Sequence, residues 1–305
     1  MQISIVVPVY QCAGCLNELH KRLKAVLDKV TYSYEIIFVD DRAHDNSWEV
    51  ITRLAHMDKS IRGVKLSRNF GQQIAITAGL TQSQGDWVVV MDCDLQDPPE
   101  KIIELYETAL SGYDIVFAKR KQKKHHFIRR ACSKLYFKMV SKLSNIEINN
   151  ELGAFSIISR KVVNAFLKFN DIKRHYTFIL YWLGFNVGYI EYIHSERHSG
   201  KSSYNLSALL KLALGGVLFQ TTTLLKWIMY LGFFLSLAGI GLAFYYVMHY
   251  FFYSVSPGWT TIIVMLLVIG GIIISSIGVV GLYIAGIFEQ TKGRPLFVID
   301  EKVGS

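Results

Sequence analysis

Asp92-Cys93-Asp94 is the segment of this 305-residue chain whose spacing points most directly to chemistry. It follows the apolar run Trp87 to Met91, and residues two apart in extended chain point the same way, so both carboxylates can face one site. Hard oxygen ligands at that spacing suit Mg²⁺ or Mn²⁺, ions that also bind phosphate oxygens. Gln96 adds a neutral oxygen two residues later. The bland alternative is a solvated acidic turn ahead of Pro98-Pro99. A second acidic pair, Asp40-Asp41, ends the run Glu35 to Val39. Those carboxylates can accept hydrogen bonds from a base or from ribose hydroxyls. Alternatively one caps the helix near Trp48, a task for which Asp45 is better placed.

Lys119 to Arg130 reads KRKQKKHHFIRR, with seven Lys or Arg and no acid. Such a run is either a solvated face or a partner for anionic headgroups and a substrate phosphate. It contains little aromatic interleaving, so nucleic acid is the weaker candidate and we expect none. Arg197, His198, Gly200 and Lys201 form a second basic turn. The whole chain has a net charge of +9.

Strands and helices must bring these groups together. Ile3 to Val9 (ISIVVPV) is a buried parallel strand by its short β-branched run, ended by Pro8 and a polar turn, and Leu16, Leu19, Leu23, Val26 and Leu27 then recur at helical spacing. Strands follow at Glu35 to Val39, Gly63 to Leu66, Trp87 to Met91 and Asp114 to Ala118. Helices alternate with them at Trp48 to Met57, Gln72 to Leu80 and Glu100 to Leu110, the last opened by Pro98-Pro99. This alternation predicts an open α/β sheet, mostly parallel, whose ligands sit beyond the carboxyl ends of the strands. Tyr10, Asp40-Asp41 and Asp92-Cys93-Asp94 all fall at such ends.

The composition changes abruptly further on. Hydrophobic residues make up 51% of the chain, yet from Trp227 to Phe288 there is no Lys, Arg, Asp or Glu at all. Trp227 to Met248 and Thr260 to Phe288 are each long enough for a bilayer crossing, with the turn Ser256-Pro257-Gly258 between them. Lys211, Lys226, Lys292 and Arg294 flank the pair, while His249 to Trp259 has no Lys or Arg, which predicts a hairpin with both ends cytosolic. Leu206 to Leu225 is apolar with polar breaks and suits interfacial helices, or a surface helix of the soluble part. A strand starting at Ile3 leads us to expect no signal peptide and a cytosolic N-terminal part. The expected organisation is a catalytic domain over 1–205, interfacial helices over 206–225, a transmembrane pair over 226–289 and a cytosolic tail over 290–305.

Several function classes are unsupported. The four cysteines, Cys12, Cys15, Cys93 and Cys132, show no framework spacing, and the single C-x-x-C has no second pair to complete a zinc site. Reduced, structural cysteines are expected. No G-x-S-x-G, H-E-x-x-H or G-x-x-x-x-G-K-[ST] motif occurs, and Tyr10-Gln11-Cys12-Ala13-Gly14 stands where a dinucleotide-binding glycine signature would follow the first strand.

VVPVY, FVDD with Asp45, SRNFG at Ser67 to Gly71, GDWVVVMDCDLQDPPE at Gly85 to Glu100 and KGRP at Lys292 to Pro295 occur in this order. Together they resemble the family 2 glycosyltransferases, specifically the polyprenyl-phosphate branch of bactoprenol glucosyltransferases, aminoarabinose-phosphate-undecaprenol transferases and dolichyl-phosphate mannose synthases. The resemblance spans nearly the whole chain. It implies a GT-A-type, Rossmann-like fold and inverting transfer of one sugar from a UDP- or GDP-linked donor to a polyprenyl phosphate. It also implies Pro8, Tyr10, Asp40, Asp41 and Arg68 around the nucleotide, with Asp92, Asp94 and Gln96 at the Mg²⁺ or Mn²⁺. Arg120, Arg129, Ser133 and Arg197 would grip the acceptor phosphate. A bacterial inner-membrane location, contact with anionic lipid, a homo-oligomer and a role in O-antigen or other surface glycan follow from the same resemblance.

Three segments depart from the family pattern: Asp40-Asp41-Arg42-Ala43 for D-D-G-S, Gly153-Ala154-Phe155-Ser156 for G-D-F-R or G-S-F-R, and Gly200 to Tyr204 for G-x-S-K-Y. They leave open a catalytically silent, nucleotide-sugar-binding membrane partner. A processive polysaccharide synthase would carry Q-x-x-R-W, and the chain has no Arg-Trp pair.

Overall fold

The computed structural model describes residues 2–31, 33–121, 152–172, 174–193 and 258–304, with isolated positions between 228 and 252. Arg129, Ser133, Arg197, the stretch Leu206 to Leu225 and most of Trp227 to Met248 lie outside them. The chain divides into two compact units, one built on a sheet and the other containing a long helix.

Eight described strands make the sheet: β1 (Ile3–Val9), β2 (Tyr34–Asp40), β3 (Ile61–Leu66), β4 (Trp87–Val90), β5 (Ile115–Lys121), β6 (Leu152–Ser159), β7 (Val187–Ile193) and β8 (Ile299–Val303). Their spatial order is β7-β5-β6-β4-β1-β2-β3-β8. Pairing is parallel across β4-β1-β2-β3 and between β5 and β7, whereas β6 and β8 run antiparallel to their neighbours.

The sheet is covered on both faces, which is why β1 can be apolar at every position but Ser4. Ile3, Ile5, Val7 and Val9 enter one core with α1 (Ala13–Val30), α2 (Ser47–Met57) and α4 (Lys101–Leu110). Val6, Val88 and Val90 enter the other with α3 (Gln72–Gln82), α5 (Arg160–Leu167) and α6 (Tyr176–Trp182). Fully burying one such side chain contributes about 1.5–3 kcal/mol. Helix α1 buries Leu16, Leu19, Leu23, Val26 and Leu27 along one stripe, as its spacing predicts.

β8 lies in the stretch read from sequence as a tail. Its five residues, IDEKV, carry three charges and give no strand signal alone; they pair antiparallel with β3 at the sheet edge. The charges find partners there: Asp300 meets Arg42 at 2.6 Å and Glu301 meets Lys65 at 2.8 Å.

The second unit contains α7 (Trp259–Thr291), 33 residues long. Its backbone spans about 50 Å at ~1.5 Å per residue. Its side chains are described only in part, and over those described residues no helix is long and apolar enough to cross a membrane.

Candidate active site at the switch point of the sheet

The chain runs from β1 outward to β2 and β3, then returns to β4 on the other side of β1. Strand order therefore reverses beside β1, the position at which open α/β sheets bind ligands, beyond the carboxyl ends of their strands. Pro8 is buried within β1 opposite Val39, so it shapes the strand, while Tyr10 just past its end is 43% exposed.

Asp40 and Asp41 are both buried at the end of β2. The two Asp41 oxygens accept the backbone N–H groups of Phe70 at 2.7 Å and Gly71 at 2.8 Å. Gly71 has φ +93, a left-handed conformation that glycine adopts without strain. Asp41 thus fastens the Ser67 to Gly71 loop, which presents an exposed Arg68 whose guanidinium lies 4.5 Å above the Phe70 ring. Asp40 Oδ1 accepts the Ala43 N–H at 3.1 Å, and burial pushes its pKa up to about 6. Burial also raises Asp41, against the pull of its two N–H donors. Asp45 accepts the Ser47 N–H and hydroxyl through one oxygen and the Ala13 N–H through the other, tying the starts of α1 and α2 together.

Asp92 is half-buried and accepts a hydrogen bond from Gln72 Nε2 at 2.6 Å. Burial, and then the nearby Asp97 and Asp94 charges, push its pKa up to about 7, with Arg120 and Gln72 opposing. Asp94 Oδ1 accepts the Gln96 N–H at 3.1 Å, closing a turn in which Leu95 takes φ +61. Among the described residues no group of three or more His, Cys, Asp or Glu is arranged to hold a metal. The donor set still fits a hard divalent cation: two half-buried carboxylates concentrate negative charge that a cation would relieve, leaving positions for ligand oxygens.

Arg120 extends from β5 and donates from Nε to the Tyr192 hydroxyl at 3.0 Å; its Nη2 lies 3.6 Å from Asp97 Oδ1. Burial alone would lower its pKa, but Asp97 and Tyr192 outweigh this and hold it above the ordinary value. Ser156, where the family pattern has arginine, is fully buried, its hydroxyl bonded to the Ala154 carbonyl and the Tyr176 hydroxyl at 2.9 Å each. It belongs to the core of β6. Cys12, Cys15 and Cys93 are buried and form no disulfide. Sequence reasoning missed Gln72, Asp97 and Tyr192. Asp97 stood within the DLQDPPE motif, whereas nothing near Tyr192 signalled its role.

A doubly covered α/β sheet with two carboxylates at its switch point has the GT-A-type architecture. The glucosyl-3-phosphoglycerate synthase from Mycobacterium tuberculosis, solved with Mn²⁺, UDP and glucosyl-3-phosphoglycerate, shares this fold at a TM-score of 0.51 and 16% identity, over 71% of this chain and 77% of that one. Residues 4–167 match the model of glycosyl transferase family 2. An uncharacterized glycosyltransferase, YkcC of Bacillus subtilis, is 35% identical over 100% of this chain and 95% of its own. The bactoprenol glucosyl transferase of Shigella phage SfX is 32% identical over 99% and 100%. The undecaprenyl-phosphate 4-deoxy-4-formamido-L-arabinose transferase of Aeromonas hydrophila is 31% identical over 99% and 94%. The chain belongs to glycosyl transferase family 2, and its relatives include members of the polyprenyl-phosphate branch.

Proposed function

We propose that this glycosyltransferase moves one sugar, with inversion, from a UDP- or GDP-linked donor to a polyprenyl phosphate. The observation that carries this reading is the Asp92/Asp94 pair at the switch point, in a chain whose full length aligns with polyprenyl-phosphate transferases. The acceptor phosphate oxygen displaces the nucleotide diphosphate at the anomeric carbon: one carbon–oxygen bond forms as the other breaks. With a second phosphate pKa of about 6 that oxygen is already anionic, so the site requires alignment more than a general base. Asp92, Asp94 and the Gln96 side chain would hold Mg²⁺ or Mn²⁺, which when bound supplies Lewis-acid neutralisation of the departing diphosphate. Tyr10, Asp40, Asp41 and Arg68 shape the nucleotide side. Arg120, with Arg129, Ser133 and Arg197 outside the described residues, meets the acceptor phosphate.

The acceptor's lipid tail places the reaction at a membrane. We read α7 and the uncharged stretch Trp227 to Met248 as two crossings of the bacterial inner membrane, the first entered through interfacial helices over 206–225. The catalytic domain and both termini face the cytosol, near anionic lipid, and the protein assembles as a homo-oligomer. The product serves surface-glycan modification.

The test uses purified full-length protein in detergent with undecaprenyl phosphate, Mn²⁺ or Mg²⁺ and a panel of UDP- and GDP-sugars, followed by mass spectrometry. A glycolipid from one donor, absent with chelator and with Asp94→Asn, is the expected result. No product from any donor, despite measurable nucleotide-sugar binding, would replace this proposal with the silent membrane partner.

A further inference from the structure

Arg120 is held in a way that its own strand does not require. Its guanidinium is bounded by residues from three other segments. Tyr192 on β7 receives the Nε hydrogen, and the same hydroxyl donates to Asp97, which is completely buried. Asp97 Oδ1 also faces Nη2 at 3.6 Å. The Tyr192 ring is fixed edge-on by Phe155 at 5.6 Å. On a further side runs Gly153: a Cβ there would lie 2.8 Å from Arg120 Nη2, so a glycine leaves the guanidinium its space. The Arg120 side chain remains 33% exposed.

In this arrangement Arg120 spends its Nε–H on Tyr192, is paired electrostatically with Asp97 at 3.6 Å, and has the guanidinium's other N–H groups to offer a ligand. A free arginine must lose rotamer freedom when it grips an anion, and this one has lost it already. A buried carboxylate is also costly without a cation, so Asp97 and Arg120 hold each other in place. We infer that Asp97 and Tyr192 are positioning residues that preset the Arg120 guanidinium for the phosphate of the acceptor lipid, with Gly153 supplying the clearance. This deepens the proposed function and rests on its assignment of Arg120 to the acceptor phosphate.

The experiment titrates undecaprenyl phosphate against the full-length protein in detergent by calorimetry, with Mn²⁺ binding and thermal unfolding measured on every variant. Tyr192→Phe removes the hydroxyl and keeps the ring; Gly153→Ala pushes on the guanidinium without touching Asp97. We expect each to weaken undecaprenyl phosphate binding about tenfold while Mn²⁺ affinity holds; Gly153→Ala should leave the unfolding midpoint in place, whereas Tyr192→Phe, which takes a donor from buried Asp97, should also lower it modestly. Tyr192→Phe combined with Arg120→Ala should be no weaker than Arg120→Ala alone, because both act through one group. If Arg120→Ala weakens binding but Tyr192→Phe and Gly153→Ala stay within about twofold of wild type, the positioning role is overturned and the acceptor assignment stands. If Arg120→Ala leaves undecaprenyl phosphate binding intact, the acceptor assignment fails and the inference falls with it. Should Tyr192→Phe unfold, Gly153→Ala decides alone.

Discussion

The two sides of the switch point are built differently. On the side formed by β1, β2 and β4, three of the carboxylates are set by backbone N–H groups, Asp41 by Phe70 and Gly71, Asp40 by Ala43 and Asp94 by Gln96, while Asp92 takes a side-chain bond from Gln72. On the β5–β7 side a single arginine is set by side chains alone, through Tyr192 and Asp97, which lie 95 residues apart. Backbone N–H donors come with any sequence that makes the turn, so the first side tolerates side-chain variation around Asp40, Asp41 and Asp94. The second side depends on the identity of each partner. The departures at Ala154 and Ser156 fall beside the second, and the network there closes without them.

The largest test of the contrast is at the acids proposed to hold the metal. Asp94→Asn should abolish detectable transfer, a loss of about a thousandfold, in the mass-spectrometric assay, while the unfolding midpoint stays put. A variant that kept its activity would remove the β4 end from the reaction.

Asp41→Ala should be nearly as damaging, but to stability. It strands two backbone N–H groups at a cost of about 2–4 kcal/mol, visible as a lower urea midpoint and faster proteolysis between Ser67 and Gly71. Asp41→Asn, which keeps one acceptor oxygen, should lose about half as much. Equal losses would mean that the charge, rather than the hydrogen bonds, holds the loop.

Asp40 should behave in the opposite sense. Its pKa, raised to about 6 by burial, means that the folded state favours the protonated form. The stability this gives is complete below the ordinary carboxylate pKa and is lost as pH rises through about 6. Asp40→Asn keeps an acceptor for Ala43 and removes the buried charge. The variant should therefore match wild type near pH 4 and exceed it by up to about 3 kcal/mol at pH 8, read from paired unfolding curves. A constant difference across that range would show that Asp40 is not titrating in the fold.

The smallest effect is expected at the sheet edge. Arg42 and Asp300 are 45% and 42% exposed, so their 2.6 Å pair contributes at most about 1 kcal/mol and weakens with salt. Arg42 also takes φ +55, where glycine is relaxed. Arg42→Gly should thus lose the pair and relieve the backbone, leaving stability within about 0.5 kcal/mol while β8 amides exchange faster at low salt. No change in exchange would remove Arg42 as an anchor of β8.

The central strands, the four helices around them and the acids at the strand ends were legible because each rests on a local pattern. ISIVVPV is apolar at every position but Ser4, α1 repeats every three or four residues, and Asp92 and Asp94 stand two apart behind a strand. β8 was illegible because its five residues carry three charges that make sense only beside Arg42 and Lys65. Asp41 read as a ligand group, and only the fold brought Phe70 and Gly71 to its oxygens. By itself the sequence determined an α/β sheet with a carboxylate pair at the carboxyl end of a strand, since chain periodicity is a property of neighbouring residues. The tertiary structure alone decided that Asp97, Tyr192 and Gly153 surround Arg120, because hydrogen bonds between distant segments depend on strand order and register, which no local pattern encodes.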